Sequence, residues 1–302
     1  MPHSGNLDPL GSTPLLELPG HVSGEPVKVR VLEPAQSDPL ALYDQILTGR
    51  YGKPFIIDDG ETRQLLFSLD FIQSSMRIDD PYALDFAYTR KMMAFLLFVP
   101  DPGHVLMVGL GGGSLAKFCH RHLPRSKLTV VEVSADVIAL RREFEVPEDA
   151  RLTIVQADAA DYLPAAEGDT DVLLLDGFDA SGIAPGFLDR DFYQAARRRL
   201  RPGGILVTNF AGPRGWWKKH WDLLNKVFEK RVLLGPVSGG DNHIALAFAD
   251  EGFPPDWGWL DQQAVALAAR YPLDFHALVN SLRKGAGRRA KAPRSRSRST
   301  PN

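Results

Sequence analysis

Short apolar runs separated by polar and turn residues set the rhythm of this chain. Between Val27 and Ile78 the runs VKVRVL, KPFIID and RQLLFSL alternate with turn signals such as Asp59-Gly60 and predict a small antiparallel sheet. Pro81 predicts the opening of a helical stretch that continues to about Phe98. Past Pro102-Gly103 the pattern changes to strand, helix, strand, helix. His104–Val108, Leu128–Val133, Leu152–Val155, Val172–Leu175 and Ile205–Thr208 read as strands. Helices are predicted over Ser114–His122, Ala135–Phe144, Asp191–Leu200 and about Gly215–Glu229. The runs VLL (232–234) and HIALAFA (243–249) have no long crossover between them, so they close the sheet as an antiparallel pair. Short apolar strands alternating with helices argue for an α/β unit whose mostly parallel sheet is covered on both faces. The expected organisation is an irregular lead-in (1–26), an N-terminal β-domain (27–80), an α/β domain (81–250), a helical appendage (251–282) and a disordered basic tail (283–302).

Composition narrows the class. With 302 residues, 44% hydrophobic and 24% charged, the chain is long enough for a substantial core and ordinary for a soluble protein. Its longest apolar stretch, Met92 to Val99, is far too short to span a bilayer, so no membrane partner is expected. The N-terminal residues lack a basic region followed by an apolar one, so no secretory signal is expected. The single cysteine, Cys119, excludes an internal disulfide and a cysteine-rich zinc cluster. Together these features predict a cytoplasmic protein, and no metal is assigned. The net charge of −2 hides an asymmetry, because eight of the 35 bases and no acid lie from Arg283 onward. The other 27 bases face 37 acids, which leaves the body at −10. Such a body repels phosphates and attracts cations, so no specific nucleic-acid partner is expected.

The candidate chemistry sits in the α/β unit. Gly109, Gly111 and Gly113 in VLMVGLGGGSLAKF follow a strand and open a helix, a junction where backbone can approach a ligand closely. Glu132 lies 19 residues beyond Gly113, at the end of the next strand, where an acid in this kind of fold binds ribose hydroxyls. Asp158 follows the third strand and Asp176 ends the fourth. Glycines and acids at four successive strand ends form one rim, the place where open α/β sheets bind ligands. An acid after the third strand suits an adenine amino group, and one after the fourth suits a cationic centre. This set favours a sulfonium nucleoside such as S-adenosylmethionine over a dinucleotide.

The Gly-rich loop, VVEVSADVI (130–138), QADAADYL (156–163), LLLDGFDASGIAPGFLDRDFY (173–193) and LRPGGILVTNF (200–210) resemble spermidine synthase and related polyamine aminopropyltransferases. The resemblance covers roughly residues 40–250. It implies a Rossmann-like, doubly wound seven-stranded sheet of the methyltransferase type, with residues 81–250 as the donor-binding catalytic domain. It implies that Glu132 holds ribose hydroxyls, that Asp158-Ala159 meets adenine, and that Gln73 lies near the donor. Asp176 would be the base, while Asp179 and Tyr88 would contact the amine. The implied co-substrate is decarboxylated S-adenosylmethionine, the implied partner a polyamine such as putrescine or another amine. In the resembling family an N-terminal β-domain often pairs subunits, so a homodimer is expected.

The chemistry suits those residue types. An aminopropyl group moves when an amine attacks the carbon beside a sulfonium, and a carboxylate can orient that amine and take its proton. Three departures keep alternatives open. Gly112 stands where the family has an aspartate that fixes the donor amine, which would leave room for intact S-adenosylmethionine. Tyr88-Thr89-Arg90 exchanges an acid for a base, and Asp176-Gly177-Phe178-Asp179 replaces Asp-Ser-Ser-Asp. An amine methyltransferase and a non-catalytic nucleoside-binding relative are therefore the alternatives to aminopropyl transfer.

Overall fold

β-Branched residues and an Asp-Gly turn build the N-terminal sheet. The computed structural model describes residues 14–22, 24–179, 182–183, 189–250, 253 and 255–290. Strands β1 (Leu16–Val22) and β2 (Glu25–Val31), then helix α1 (Pro39–Leu47), precede β3 (Phe55–Asp58), β4 (Thr62–Ser68) and β5 (Phe71–Arg77). The strands pair antiparallel in sequence order to give five strands. At the β3–β4 turn Asp59 Oδ1 accepts from Glu61 N at 2.9 Å and Thr62 N at 2.6 Å, with Gly60 at φ +88°. That Asx-type turn fixes the register in which Asp58 pairs with Arg63.

Several elements differ from the sequence expectation. β1 falls within the expected irregular lead-in, because an edge strand tolerates Pro19 and needs only β2 as its partner. α1 was hidden in a stretch read as sheet. Asp38 accepts from Leu40 N at 2.9 Å and Pro39 starts the first turn, while Leu42 and Ile46 bury one face against Val29, Val31 and Phe55. The helix expected from Pro81 begins only at α2 (Ala87–Met92), followed by a 3-10 turn, Met93–Leu97. Before it, Asp79 and Asp80 pair with Arg77 at 2.6 Å and Arg121 at 3.1 Å.

The second sheet takes its order from the alternation of strand and helix. β6 (His104–Val108), α3 (Ser114–His122), β7 (Lys127–Glu132), α4 (Ala135–Ala139), β8 (Leu152–Gln156), α5 (Ala159–Tyr162) and β9 (Thr170–Leu175) lead into a short hairpin, β10 (Phe178–Asp179) with β11 (Gly182–Ile183). α6 (Arg190–Arg199), β12 (Leu200–Phe210), α7 (Arg214–Val227), β13 (Val232–Pro236) and β14 (His243–Phe248) follow, then α8 (Trp257–Ala268) and α9 (Phe275–Ala290). The seven strands lie in the order β13-β14-β12-β9-β6-β7-β8. β12, β9, β6, β7 and β8 are parallel, and β14 runs antiparallel to both neighbours.

Period-two alternation splits the core between the two faces of this sheet. Val105 and Met107 join one cluster with Leu115 of α3, Leu260 of α8 and Phe275 of α9. Leu106 and Val108 join another with Ala159 of α5, Phe192 of α6 and Trp217 of α7. Both faces are covered, so these strands are apolar throughout. Cys119 is buried in the first cluster, where burial pushes its thiol up to about 12. Trp217 stacks on Phe210 with ring centroids 5.2 Å apart and packs α7 onto the sheet.

Two polar ties position the site. Arg30 pairs with Glu143 at 3.1 Å and with Asp58 at 3.7 Å, docking the N-terminal sheet so that β5 faces the end of β6. Buried Lys91 of α2 donates to the Pro236 carbonyl and, at 2.6 Å, to Ser281 Oγ, joining α2, the end of β13 and α9. α9 also absorbs residues 283–290 of the stretch expected to be disordered. Arg283 lies over Trp257 at 5.4 Å and pairs with Asp261 at 2.7 Å, so its charge is not left to solvent. The remainder of that stretch, 291–302, lies outside the described residues. Among the described residues no helix is long and apolar enough to cross a membrane.

Candidate active site

Strand order puts a crevice at one edge of β6. From β6 the chain builds outward to β7 and β8, then returns to the other side as β9, so connections diverge at the β6/β9 seam. Ligand sites in open α/β sheets form at such a seam, beyond the carboxyl ends of the strands. A cavity of about 260 Å³ opens there. Gly109 leaves β6 at φ +93°, and a Cβ on it would come within 2.4 Å of the Asp176 carbonyl oxygen. Only glycine lets β6 end this close to β9.

One end of the cavity is made of acids that hold backbone. Glu132, at the end of β7, accepts from Leu110 N at 2.8 Å through one carboxylate oxygen and from Ser134 N at 2.9 Å through the other. It therefore braces the glycine loop against the start of α4. Each oxygen has a second acceptor site, so capacity for two hydroxyls remains. Asp158 caps α5, accepting from Ala160 N at 2.8 Å, and Ala159 beside it is buried. Val133, Ala157 and Val137 add apolar wall at this end. A flat apolar base and a diol would both find complementary surface here.

The other end holds one recessed carboxylate. Asp176 Oδ2 accepts from the Tyr88 hydroxyl at 3.1 Å, and Oδ1 accepts from Asn209 Nδ2 at 3.1 Å. Burial pushes Asp176 up to about 6, against the lowering effect of those two donors. Burial and the neighbouring Asp176 hold the Tyr88 phenol well above its usual range, so Tyr88 stays a donor. Asn209 reaches Asp176 because β12 lies parallel to β9, with Thr208 opposite Leu175 and the next residues converging. Asn209 in turn accepts from Asn242 Nδ2 at 2.9 Å.

The structure brings eight of the expected residues onto the cavity wall, namely Gln73, Tyr88, Gly109, Gly111, Glu132, Asp158, Ala159 and Asp176. Gly113 is not on that wall. It sits at φ +71° before α3, and a Cβ there would come within 2.5 Å of Val146 Cγ2, so it serves packing. Asp179 lies on β10 three residues after Asp176, and its side chain is outside the described residues. Arg90, the base in place of an acid, donates to the Leu84 carbonyl at 2.6 Å and is absent from the wall. Gly112 is enclosed, because a Cβ there would meet Ser74 Oγ at 2.8 Å and Phe144 Cδ1 at 2.9 Å. The loss of a side chain at 112 is thus matched by neighbours that fill its place. Among the described residues no group of three or more His, Cys, Asp or Glu is arranged to hold a metal ion.

A chain with this cavity at the ends of its strands has relatives. The chain is 38% identical over 231 residues to a polyamine aminopropyltransferase of Chromobacterium violaceum, covering 76% of this chain and 88% of that one. It belongs to the polyamine aminopropyltransferase family. A family model described as a spermine/spermidine synthase domain matches residues 85–220, a span that holds Tyr88, the glycine loop, Glu132, Asp158, Asp176 and Asn209. The fold of this chain is shared by a spermidine synthase solved with the transition-state analogue AdoDATO, with a TM-score of 0.61 and 21% identity over 76% of this chain and 80% of that one. It is shared too by human methyltransferase-like protein 13 solved with SAH, with a TM-score of 0.55 and 22% identity over 70% and 96% of the two chains. The seven-stranded methyltransferase-type sheet with a smaller antiparallel sheet before it is as the sequence led us to expect. Asn209 and Asn242 are not among the residues that the sequence singles out. Asn209 was within reach, since it closes the fifth strand as the acids close the others. Asn242 had no local signal.

Proposed function

We propose that this chain transfers an aminopropyl group from decarboxylated S-adenosylmethionine to an amine nitrogen of a polyamine such as putrescine. The observation that carries the reading is the recessed Asp176 carboxylate, held by Tyr88 and Asn209 at the end of a cavity whose opposite end offers Glu132 and Asp158. Glu132 receives the ribose hydroxyls, Asp158-Ala159 the adenine, and Gln73 with the backbone at Gly109 and Gly111 the rest of the donor. Asp176, with Tyr88 and Asp179, receives the acceptor amine. The amine lone pair attacks the donor carbon beside sulfur, an N–C bond forms and the C–S bond breaks. The C–S bonding pair returns to sulfur, giving neutral methylthioadenosine, and Asp176 takes the proton that the bound ammonium must give up to free the attacking lone pair. An Asp176 pKa of about 6 keeps the base ionised at neutral pH without making it too weak to accept. The rest of the rate comes from holding nitrogen, carbon and sulfur in line. The same reading takes the division near residue 80 as a domain boundary, the N-terminal sheet as the subunit-pairing element of a homodimer, and the cytoplasm as the place of reaction.

The test is to incubate the purified protein with decarboxylated or intact S-adenosylmethionine, each with a panel of di- and polyamines, and to identify products by mass spectrometry. The expected product is an aminopropylated amine together with methylthioadenosine. A methylated amine from the intact donor would replace this reading with methyl transfer.

A further inference from the structure

Asp176 depends on which way one amide faces. Asn209 carries both a donor and an acceptor at the end of its side chain, and only its NH2 end supports a carboxylate. Turned over, its carbonyl would face Asp176, repel the anion and accept from the neutral acid. Asn209 is 4% exposed, so water does not decide between the two orientations. Its other neighbour does. Asn242 Nδ2 lies 2.9 Å from Asn209 Oδ1 and, as a donor, selects the carbonyl end for itself. The NH2 end is then left for Asp176 Oδ1 at 3.1 Å.

Asn242 never touches the cavity wall. It sits in the β13–β14 loop, half-buried, and its carbonyl accepts from Val237 N at 2.9 Å, which closes the loop across Gly239 at φ +82°. β14 brings it to Asn209, because Phe210 pairs with His243 and Asn209 with Ile244. We propose that Asn242 is a positioning residue for transfer to the acceptor amine, acting through Asn209 to keep the Asp176 carboxylate ionised. The proposal rests on Asp176 being the base of the reaction proposed above.

The other groups around the base are few. Tyr88 faces it from α2, and Glu132 and Asp158 stand on the same cavity wall at the ends of β7 and β8. Lys91 of α2 is committed to the Pro236 carbonyl and Ser281. Beside Asn242, Asp241 is exposed, and His243 lies against Trp217 with ring centroids 5.0 Å apart, its Nδ1 3.1 Å from the Asp241 carbonyl oxygen. Among the described residues the side-chain donors to Asp176 are thus Tyr88 and Asn209, and Asn242 governs the second.

The experiment compares Asn242→Ala, Asn242→Asp and Asn242→Gln with the natural protein in two measurements. The first is the pH profile of kcat. The second is the titration of the Asp176 carboxyl carbon by 13C NMR in the full chain without substrates. Removing the selecting donor in Asn242→Ala should move the acidic limb and the Asp176 titration upward together by about one pH unit, a tenfold change in the protonation equilibrium. Asn242→Asp should move both further, since its carboxylate demands the NH2 end of Asn209 and adds a negative charge. Asn242→Gln, which keeps the donor, should lie between Asn242→Ala and the natural protein. A loss of kcat of equal size at every pH, with the Asp176 titration unmoved, would overturn the proposal and leave Asn242 a loop residue. An unmoved profile in all three variants would do the same. The functional reading is checked separately by Asp176→Asn: full turnover by that variant would remove the base, whatever Asn242 does to the titration.

Discussion

The two ends of the cavity are built on different plans. At the nucleoside end, Asp158 holds Ala160 and Glu132 holds Ser134, each acid bonded to backbone two residues away, with Leu110 the single longer reach. At the end proposed for the amine, Asp176 is held by side chains from Tyr88 and Asn209, 88 and 33 residues distant in the chain. The first plan anchors each carboxylate to the backbone beside it. The second takes a carboxylate out of water and returns only two hydrogen bonds, which pushes it up to about 6. Ligand binding asks for acceptors in a fixed place. Proton transfer asks for an acid tuned to the working pH, and tuning requires burial.

That contrast sets the expected size of each perturbation. Asp176→Asn keeps the shape and removes the proton acceptor, so kcat should fall by about 10²- to 10⁴-fold, the usual contribution of a positioned base. Calorimetry with methylthioadenosine should still show binding, since the nucleoside end is untouched; loss of binding would break the division between the two ends. Gly112→Asp comes next. Its side chain must displace Ser74 Oγ and the Phe144 ring, an overpacking expected to cost about 1–3 kcal/mol, read as a lower melting temperature. A variant that melts normally would mean that this wall yields easily.

Tyr88→Phe removes one of the two donors to Asp176. The folded-state pKa of that acid already lies above its ordinary value, and losing a donor to the anion raises it further. The acidic limb of the rate profile should therefore move up from about 6 by about one pH unit, equal to about 1.4 kcal/mol. Rate measured near pH 9 should change much less, and an equal loss at all pH values would mean that the phenol acts by another route. Asp158→Ala is the smallest effect on the fold. It deletes the α5 cap and should lower stability by about 1 kcal/mol in chemical denaturation, with kcat at saturating donor near the natural value.

The same contrast explains what could be read in the chain alone. Interactions over two residues are written into neighbouring letters, and so Glu132 and Asp158 stood out once the strands were placed. The doubly wound sheet was legible for a similar reason, since each strand carries its own apolar run. Asp176 was legible as a strand end, but its partners were not. Asn242 reaches the site only because β14 reverses direction beside β12, a pairing that no local pattern announces. α1 and the true start of α2 were missed because ion pairs took Asp79 and Asp80, and an apolar helix face lay inside a β-rich stretch.

The clamp made by Lys91 gives the two ends different spans of the chain. Every residue proposed for the nucleoside between Gly109 and Ala159 precedes β9 and all that follows it in the chain. The proposed amine end needs Tyr88, Asp176, Asn209 and Asn242, and the helix bearing Tyr88 is tied by Lys91 to Pro236 and to Ser281 of α9. In chain order the proposed nucleoside contacts are therefore complete well before the last partner of the proposed amine end, 122 residues short of Ser281.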